Sequence, residues 1–319
     1  MKGFELMKTD SVNTMKPGFL RIINSRLKRD WQLYMLMFLP LTYIIIFKYV
    51  PIFGLQIAFR EYDFRKGIWD SPWVGLQHFR QFFSSPNFIV VIGNTLRISV
   101  LTLLINFPAP ILLALFLNEI RDGIYKKTVQ MVTYAPHFIS TVVMCGMIIL
   151  FLSPSGKIGD IYKLFNQSLP NYLASAANFK FIYSFTEMWQ HTGYGSVIYL
   201  AALSSINPEL YESAKIDGAS RLNKIMHIDI PGILPVIIIL LILNTGNVLN
   251  VGFEKIFLLQ NPLNMPGSEV ISTYVYKIGL VNANYSFSAA VGFFNSVITF
   301  IVLALVNWIA GRLTEYSLW

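Results

Sequence analysis

The sequence has few charged residues. Asp, Glu, Lys and Arg together make up 13% of its 319 residues, half of the ~25% typical of soluble domains. A soluble fold of this length needs a charged surface, but the hydrophobic residues, 54% of the chain, lie mainly in long apolar runs. The scarcity of charge therefore argues against an ordinary soluble domain and predicts a chain that crosses a membrane several times.

Metal ligands and catalytic motifs are also scarce. The chain has one cysteine, Cys145, and four histidines, too scattered for the ligand spacing of a protein metal site. The phosphate-binding pattern G-x-x-x-x-G-K-[ST] and the zinc-protease pattern H-E-x-x-H are absent, and the apolar runs contain no paired carboxylates or serine–histidine pair. We therefore expect no metal, no cofactor and no enzyme activity, so that any ATP hydrolysis belongs to a partner.

Six apolar runs are long enough to cross the hydrocarbon core, which takes roughly 20 helical residues. Because backbone groups cannot be left unpaired in lipid, each run is predicted to be helical. The runs cover residues 33–58, 88–117, 131–152, 181–203, 231–253 and 288–310. Pro40 and Pro51 in the first run, and Pro108 and Pro110 in the second, should kink or end helices. The predicted fold is all-α and polytopic.

The basic residues behind the net charge of +8 cluster between the apolar runs, not along the single stripe of a nucleic-acid-binding surface. A dense basic patch precedes the first run, and others fall in 118–130 and 204–230. The positive-inside rule places the first patch in the cytoplasm, and alternation of the spans then places 118–130, 204–230 and the C-terminal tail there too, although the segments on the other side hold basic residues as well. Segments 59–87, 153–180 and 254–287 then lie outside, where their tyrosines and tryptophans suit either an interfacial belt or a docking surface for an external protein.

The segment between the fourth and fifth runs predicts two short helices. Asn207 can cap the first, with Pro208 in its first position, and Gly218 can adopt the positive φ that ends it. A second helix is expected over roughly 220–227. Two short helices across the cytoplasmic face suit a groove on another protein; the alternative is an ordinary amphipathic connector.

This segment resembles the "EAA" loop of permease subunits of ABC importers. That pattern is Glu-Ala-Ala, two residues, Asp-Gly-Ala, and later Ile-x-Leu-Pro; Ser213 replaces its middle alanine and Ile230 its leucine. The matching residues are Glu212, Ala214, Asp217, Gly218, Ala219, Ile228 and Pro231. The resemblance implies that 205–230 is a coupling loop and that Glu212, Ala214, Asp217, Gly218 and Ala219 meet the ATPase.

Other stretches resemble the permeases of that family that handle polysaccharide fragments, uronides among them. These stretches are 47–51, 71–75, 107–110, 252–255 and 313–319. The resemblance implies a type I ABC importer permease (MetI-like) fold with six transmembrane helices in the bacterial cell membrane. It also implies a second, homologous permease, two ATPase subunits and an extracellular solute-binding lipoprotein that delivers an oligosaccharide.

The expected organisation follows from these boundaries. A cytoplasmic segment, 1–30, precedes the first transmembrane helix and its external loop, 31–87. A permease core with five transmembrane helices and the coupling loop covers 88–312, and a cytoplasmic tail covers 313–319.

Polar residues inside the apolar runs are candidate sugar ligands, because such residues are costly in a membrane and usually face the protein interior. They are Gln190, His191 and Tyr194 in the fourth run, and Asn244, Asn247 and Asn250 in the fifth. The asparagines' spacing of three puts them on one helix face. One interpretation is a sugar path between the two faces, as related sugar permeases imply; the other is hydrogen bonding between packed helices.

Two charged residues in the runs leave three interpretations. Arg97 lies in the second run and Glu187 in the fourth. Either can reach the interface, form an ion pair or contact an acidic sugar, and we favour the first two. A proton- or sodium-coupled transporter, the competing class, would need more membrane-embedded titratable groups than Glu187.

Overall fold

The computed structural model describes residues 29–314 together with Ser317 and Leu318. Within these residues the regular structure is helical, and β pairing is limited to two isolated bridges, Arg60–Trp73 and Asp63–Gly67. The all-α prediction is confirmed. Most of the predicted cytoplasmic segment 1–30 and part of the tail 313–319 lie outside the described residues.

Four described helical stretches are long and apolar enough to cross a membrane, and a strongly bent pair would make a fifth. The 29-residue helix that covers the predicted fourth run is not among them. Glu187, Gln190 and His191 lower the hydropathy of its middle. The polytopic prediction holds, and the count of six spans stays a prediction.

The chain divides into two units between Leu55 and Gln56. The first apolar run forms α1 (Trp31–Ile44), a π-helical turn (Ile45–Tyr49) and a 3₁₀ segment (Val50–Phe59). The change from π to 3₁₀ geometry coincides with Pro51, which has no N–H to donate to the preceding turn. Pro40 lies inside α1, none of whose residues is buried.

The second unit contains the remaining helices. In chain order they are α2 (Gly67–Asp70), α3 (Gln77–Phe83), α4 (Pro86–Asn106), α5 (Pro108–Glu119), α6 (Ile124–Tyr134), α7 (Thr141–Phe151), α8 (Lys157–Leu164), α9 (Ala176–Ser204), α10 (Pro208–Ile216), α11 (Arg221–Lys224), α12 (Ile230–Gly246), α13 (Phe253–Leu259), α14 (Met265–Ser268), α15 (Ile271–Tyr276) and α16 (Tyr285–Leu313). Helix α9 packs against α4 and α5, α12 against α16, and α13 against α7.

The second predicted run is one stretch with an internal break. Helices α4 and α5 are separated only by Phe107. Pro108 and Pro110 cannot donate backbone hydrogen bonds to the preceding turn, so the ladder is interrupted there. The helix break that these prolines predict is therefore present, and it falls beside the cavity described below.

The third predicted run, 131–152, is not a continuous helix. Helix α6 and the 3₁₀ turn that follows it, ending at Phe138, meet α7 at an angle of 102°. Pro136 lies in the 3₁₀ turn, and Ser140 caps the new helix by accepting a hydrogen bond from Val143 N at 3.4 Å. The hydropathy of the run concealed this break, because the capping serine is a single residue within an apolar stretch.

The fifth predicted run, 231–253, ends early as a helix. Helix α12 stops at Gly246, and Asn247 is its C-cap. Glycine and asparagine favour helix ends over helix interiors. Irregular backbone at membrane depth is tolerated where it lines a cavity, and Asn250 in this segment does so.

Candidate functional site

A cavity of about 530 Å³ lies between α4, α5, α9, α12 and the loop that follows α12. Its walls are largely apolar, but several side chains present amide, hydroxyl or imidazole groups. The polar lining residues are Ser99, Thr102, Asn106, Tyr183, Glu187, His191, Tyr199, Asn244, Asn247 and Asn250. An apolar pocket with a few convergent polar groups is the usual form of a small-molecule site.

Four of the six predicted path residues line this cavity. They are His191, Asn244, Asn247 and Asn250. The asparagines were expected on one face of a continuous helix. The helix instead ends between Asn244 and Asn247, and the three side chains still line the same cavity. Asn250 Oδ1 accepts a hydrogen bond from Asn295 Nδ2 on α16 at 3.1 Å, which fixes the loop against its neighbour.

Gln190 and Tyr194 lie outside the lining. Gln190 is buried and donates from Nε2 to the carbonyl oxygen of Ile139 at 3.1 Å, so it ties α9 to the break between α6 and α7. Tyr194 is half exposed and its ring stacks on His137 with centroids 4.1 Å apart. Residues 190 and 194 point away because α9 presents only one stripe of its surface to the cavity.

The cavity wall carries an ion pair that the sequence did not reveal. Glu187 Oε1 lies 2.8 Å from Lys255 Nζ, and Lys255 is only 3% exposed. His191 Nδ1 is 3.4 Å from the other carboxylate oxygen, and Gln190 Oε1 is 3.4 Å from the ammonium group. Pairing, one of the three interpretations left open for Glu187, therefore applies. In the sequence, the only sign of this ion pair was a lone lysine, Lys255, near an apolar segment.

Two polar atoms beside the cavity have no hydrogen-bond partner among the described residues. They are Ser99 Oγ and Asn106 Oδ1, both buried. Asn106 lies at the proline break between α4 and α5. Buried polar groups without partners are costly, so both atoms gain if a hydroxyl-bearing ligand or water approaches.

Arg97 differs from Glu187. Among the residues that the structure describes, no carboxylate pairs with it, and it lies with Lys180 in a separate pocket of about 190 Å³. It does not line the main cavity. Of the interpretations left open for it, ion pairing finds no support in the described part of the chain.

The loop between α9 and α12 has the predicted local structure. Asn207 Oδ1 accepts from Glu209 N at 3.1 Å and caps α10. Gly218 has φ +72°, and Ala219 N donates to Ala214 O at 2.9 Å. This bond and the positive φ together form the Schellman-type end of a helix. Ser220 then caps α11.

The five predicted coupling residues surround this turn. Glu212, Asp217 and Gly218 are exposed, and Ala214 and Ala219 are half-buried. Large apolar side chains beside them are exposed as well: Ile216 at 87% and Leu222 at 67%. Contiguous exposed apolar side chains mark interaction surfaces.

Two bonds tie the loop to the long helices. Lys224 Nζ of α11 lies 3.4 Å from Glu119 Oε1 at the end of α5. The Tyr211 hydroxyl of α10 donates to Asp229 Oδ1 at 2.5 Å. Burial, together with this bond to the carboxylate, raises the pKa of the Tyr211 hydroxyl, which therefore stays protonated and remains a donor.

The family model for the inner membrane component of binding-protein-dependent transport systems matches residues 106–315. Protein LplB of Bacillus subtilis (strain 168) is 40% identical over 92% of both chains. The polygalacturonan/rhamnogalacturonan transport system permease protein YteP of the same organism is 41% identical over 89% of both.

Solved structures agree with these relatives. A chain of a bacterial ABC transporter involved in the import of the acidic polysaccharide alginate is 41% identical, with a TM-score of 0.85 over 92% of this chain and 99% of that one. The same kind of transporter has been crystallised with an alginate pentasaccharide-bound periplasmic protein, at 40% identity and the same TM-score.

The chain is a membrane transport component, not an enzyme. It belongs to the family of inner membrane components of binding-protein-dependent transport systems, the permeases of ABC importers, which act with a solute-binding protein.

Proposed function

We propose that the chain is one of two permease subunits of an ATP-driven importer that carries acidic oligosaccharides across the bacterial cell membrane. A second, homologous permease completes the path, an extracellular solute-binding lipoprotein delivers the sugar, and two ATPase subunits bind the coupling loop. The observation that carries this proposal is the cavity in which Asn244, Asn247 and Asn250 converge. Amides can donate to and accept from the hydroxyl groups of a sugar.

The acidic character of the substrate rests on two further observations. The names of two similar proteins, YteP and the alginate importer, refer to acidic polysaccharides. In addition, Lys255 neutralises Glu187 in the cavity wall. An unpaired carboxylate there would repel a uronate in a medium of low dielectric constant, so the pair removes an obstacle to anionic sugars.

The coupling role rests on the geometry of the loop. The turn is exposed at Glu212, Asp217 and Gly218. The apolar side chains of Ile216 and Leu222 beside it are exposed as well. An amphipathic helix of this kind suits a groove on a partner. Since the sequence carries no phosphate-binding loop of its own, the energy of ATP must arrive by mechanical contact through such a surface.

We further propose that both termini and the coupling loop are cytoplasmic, because the dense basic patch before the first span sets the orientation and six spans then alternate across the membrane. In this arrangement 1–30 and 313–319 lie inside, 31–87 holds the first helix and an external loop, and 88–312 forms the permease core.

Reporter fusions test this orientation. Fusions within 118–130 and 204–230 are expected to be active with a cytoplasmic reporter, and a fusion within 59–87 with an external one. A fusion within 204–230 that is active only outside the cell would rule out the coupling loop, since the ATPase is cytoplasmic.

Uptake by the assembled importer tests the proposed function. The complex is reconstituted in vesicles with its solute-binding protein and offered an equal mixture of alginate, polygalacturonate and rhamnogalacturonan oligosaccharides, hereafter the acidic mixture. ATP-dependent uptake is expected for the acidic mixture and not for maltopentaose, a neutral sugar of similar length. Preferential uptake of maltopentaose, or uptake independent of ATP, would contradict the proposal.

A further inference from the structure

One hydrogen bond connects the coupling loop to the helix that lines the cavity. Tyr211 lies in α10, and its hydroxyl donates to Asp229 Oδ1 at 2.5 Å across 18 positions of sequence. Asp229 is fully buried and directly precedes α12. The bond therefore joins the exposed loop helix to the base of a long helix.

The other end of α12 reaches the cavity. Asn244 lies 15 residues beyond Asp229 and lines the cavity wall, which corresponds to about 22 Å along a helix. Helix α12 contains Pro235 but is continuous from Ile230 to Gly246, so a displacement of its base also moves the residues at its far end. Lys224, 3.4 Å from Glu119 at the end of α5, gives α11 a similar connection to α5, which also borders the cavity.

Helix α11 continues into α12 as one helical stretch, Arg221–Gly246, whereas α10 is joined to that stretch along the chain only through the turn at Gly218. Residues Ile225–Asp229 form a π-helical turn, and such turns often occur at functional sites within helices. Asp229 Oδ2 has no hydrogen-bond partner among the described residues, so the Tyr211 hydroxyl is the principal donor to this carboxylate. Losing that donor would leave a buried carboxylate unsatisfied, which strongly favours keeping the two groups together.

We propose that the Tyr211–Asp229 hydrogen bond carries the movement of α10 to α12 during transport, which makes Tyr211 a positioning residue for coupling. This inference rests on the proposed function, since it assumes that the ATPase moves α10. Movements of domains and helices are passed on through packed, bonded interfaces of this kind. Without the bond α10 can follow the ATPase while α12 stays behind, and ATP is hydrolysed without transport.

The test measures uptake of the acidic mixture and ATP hydrolysis in the same vesicles, with the complete complex and its solute-binding protein. For Tyr211→Phe, the amount of sugar carried per ATP is expected to fall by about tenfold, as for the loss of a hydrogen bond to a charged group. Assembly and basal ATPase activity are expected to persist. Asp229→Asn, which keeps an acceptor oxygen, should retain most of the wild-type ratio.

Tyr125→Phe is the matched control, because Tyr125 is 70% exposed on α6 and its variant should behave like the wild type. A normal ratio for Tyr211→Phe would overturn the inference, as would an Asp229→Asn variant that is equally uncoupled. If Tyr211→Phe does not assemble, the double variant Tyr211→Phe/Asp229→Leu removes the unpaired carboxylate. It is expected to assemble with a low ratio, and either a normal ratio or failed assembly would overturn the inference.

The two proposals fail in different ways. If the wild-type complex shows no ATP-dependent uptake of the acidic mixture, the proposed function is wrong. If the wild type transports and Tyr211→Phe matches it in sugar carried per ATP, only the inference about the hydrogen bond is wrong.

Discussion

Replacing Lys255 with methionine is expected to abolish uptake of acidic oligosaccharides and to destabilise the subunit. The variant leaves Glu187 without its partner at 2.8 Å, in a wall where Lys255 is only 3% exposed. Removing one member of a buried ion pair typically costs about 3–5 kcal/mol. The loss is measured as a lower midpoint of thermal unfolding of the purified complex, together with uptake of the acidic mixture.

Two variants separate the charge effect from a general loss of lysine. Glu187→Gln/Lys255→Met removes both charges and is expected to recover most of the stability, because no unpaired charge remains. Lys126→Met breaks a surface pair with the almost fully exposed Asp122, which should matter little. If Lys255→Met unfolds and transports like Lys126→Met, the pair has no role in the cavity wall.

Replacing Gly218 with valine is expected to abolish transport and weaken binding of the ATPase while membrane insertion is retained. Gly218 has φ +72°, and no atom lies within 4 Å of the position that a Cβ would occupy. The effect therefore comes from backbone strain and not from a clash. A β-branched residue in this conformation costs about 1–3 kcal/mol, enough to reshape the turn after α10. Co-purification of the ATPase and an uptake assay measure the result.

Two substitutions serve as controls for strain. Gly218→Asn should be tolerated better, because asparagine adopts the left-handed region more readily than other non-glycine residues. Gly123→Val places valine at a glycine whose φ of 170° is ordinary extended backbone, with open space around it. Normal ATPase binding together with normal uptake by Gly218→Val would show that this loop is not the coupling element.

Local signals explain why the short helices and the turn of the 205–230 loop could be predicted from the sequence. Asn207, Gly218 and Ser220 each act on their immediate neighbours, as a cap, a turn and a second cap. The long helices could likewise be predicted from the apolar runs, because the hydropathy of a run is a sum over many residues and does not depend on any single contact. The proline break between α4 and α5 was predictable because it follows from the missing N–H of Pro108.

Features that depend on tertiary contacts could not be predicted from the sequence. The 102° bend before α7 depends on where the backbone finds partners at membrane depth. The pairing of Glu187 with Lys255 joins residues 68 positions apart, and no local pattern relates them. Gln190 and His191 are neighbours on α9, but only His191 lines the cavity, because the packing of α9 decides which stripe is open.

The alternative interpretations of the asparagines differ in what they predict for access to the cavity. If Asn244 and Asn247 were packing contacts, their side-chain amides would hydrogen-bond to neighbouring helices. Their amide nitrogens instead donate to carbonyl oxygens of their own helix, Leu240 at 2.8 Å and Leu243 at 3.3 Å. Their carbonyl oxygens remain available to a ligand in the cavity, which favours the sugar path for these two residues, whereas Asn250 bonds to Asn295 of α16 as the packing interpretation expects.

The most direct test of this path is protection of a cavity residue during transport. Asn247→Cys is introduced into a Cys145→Ala background, which removes the single native cysteine, and the reconstituted complex is treated with a small maleimide. Labelling is expected to slow when the acidic mixture, the solute-binding protein and ATP are all present. A cysteine at Tyr125, outside the cavity, should be labelled at an unchanged rate. Equal labelling of Asn247→Cys with and without substrate, while uptake proceeds, would contradict the assignment of this cavity as the translocation path.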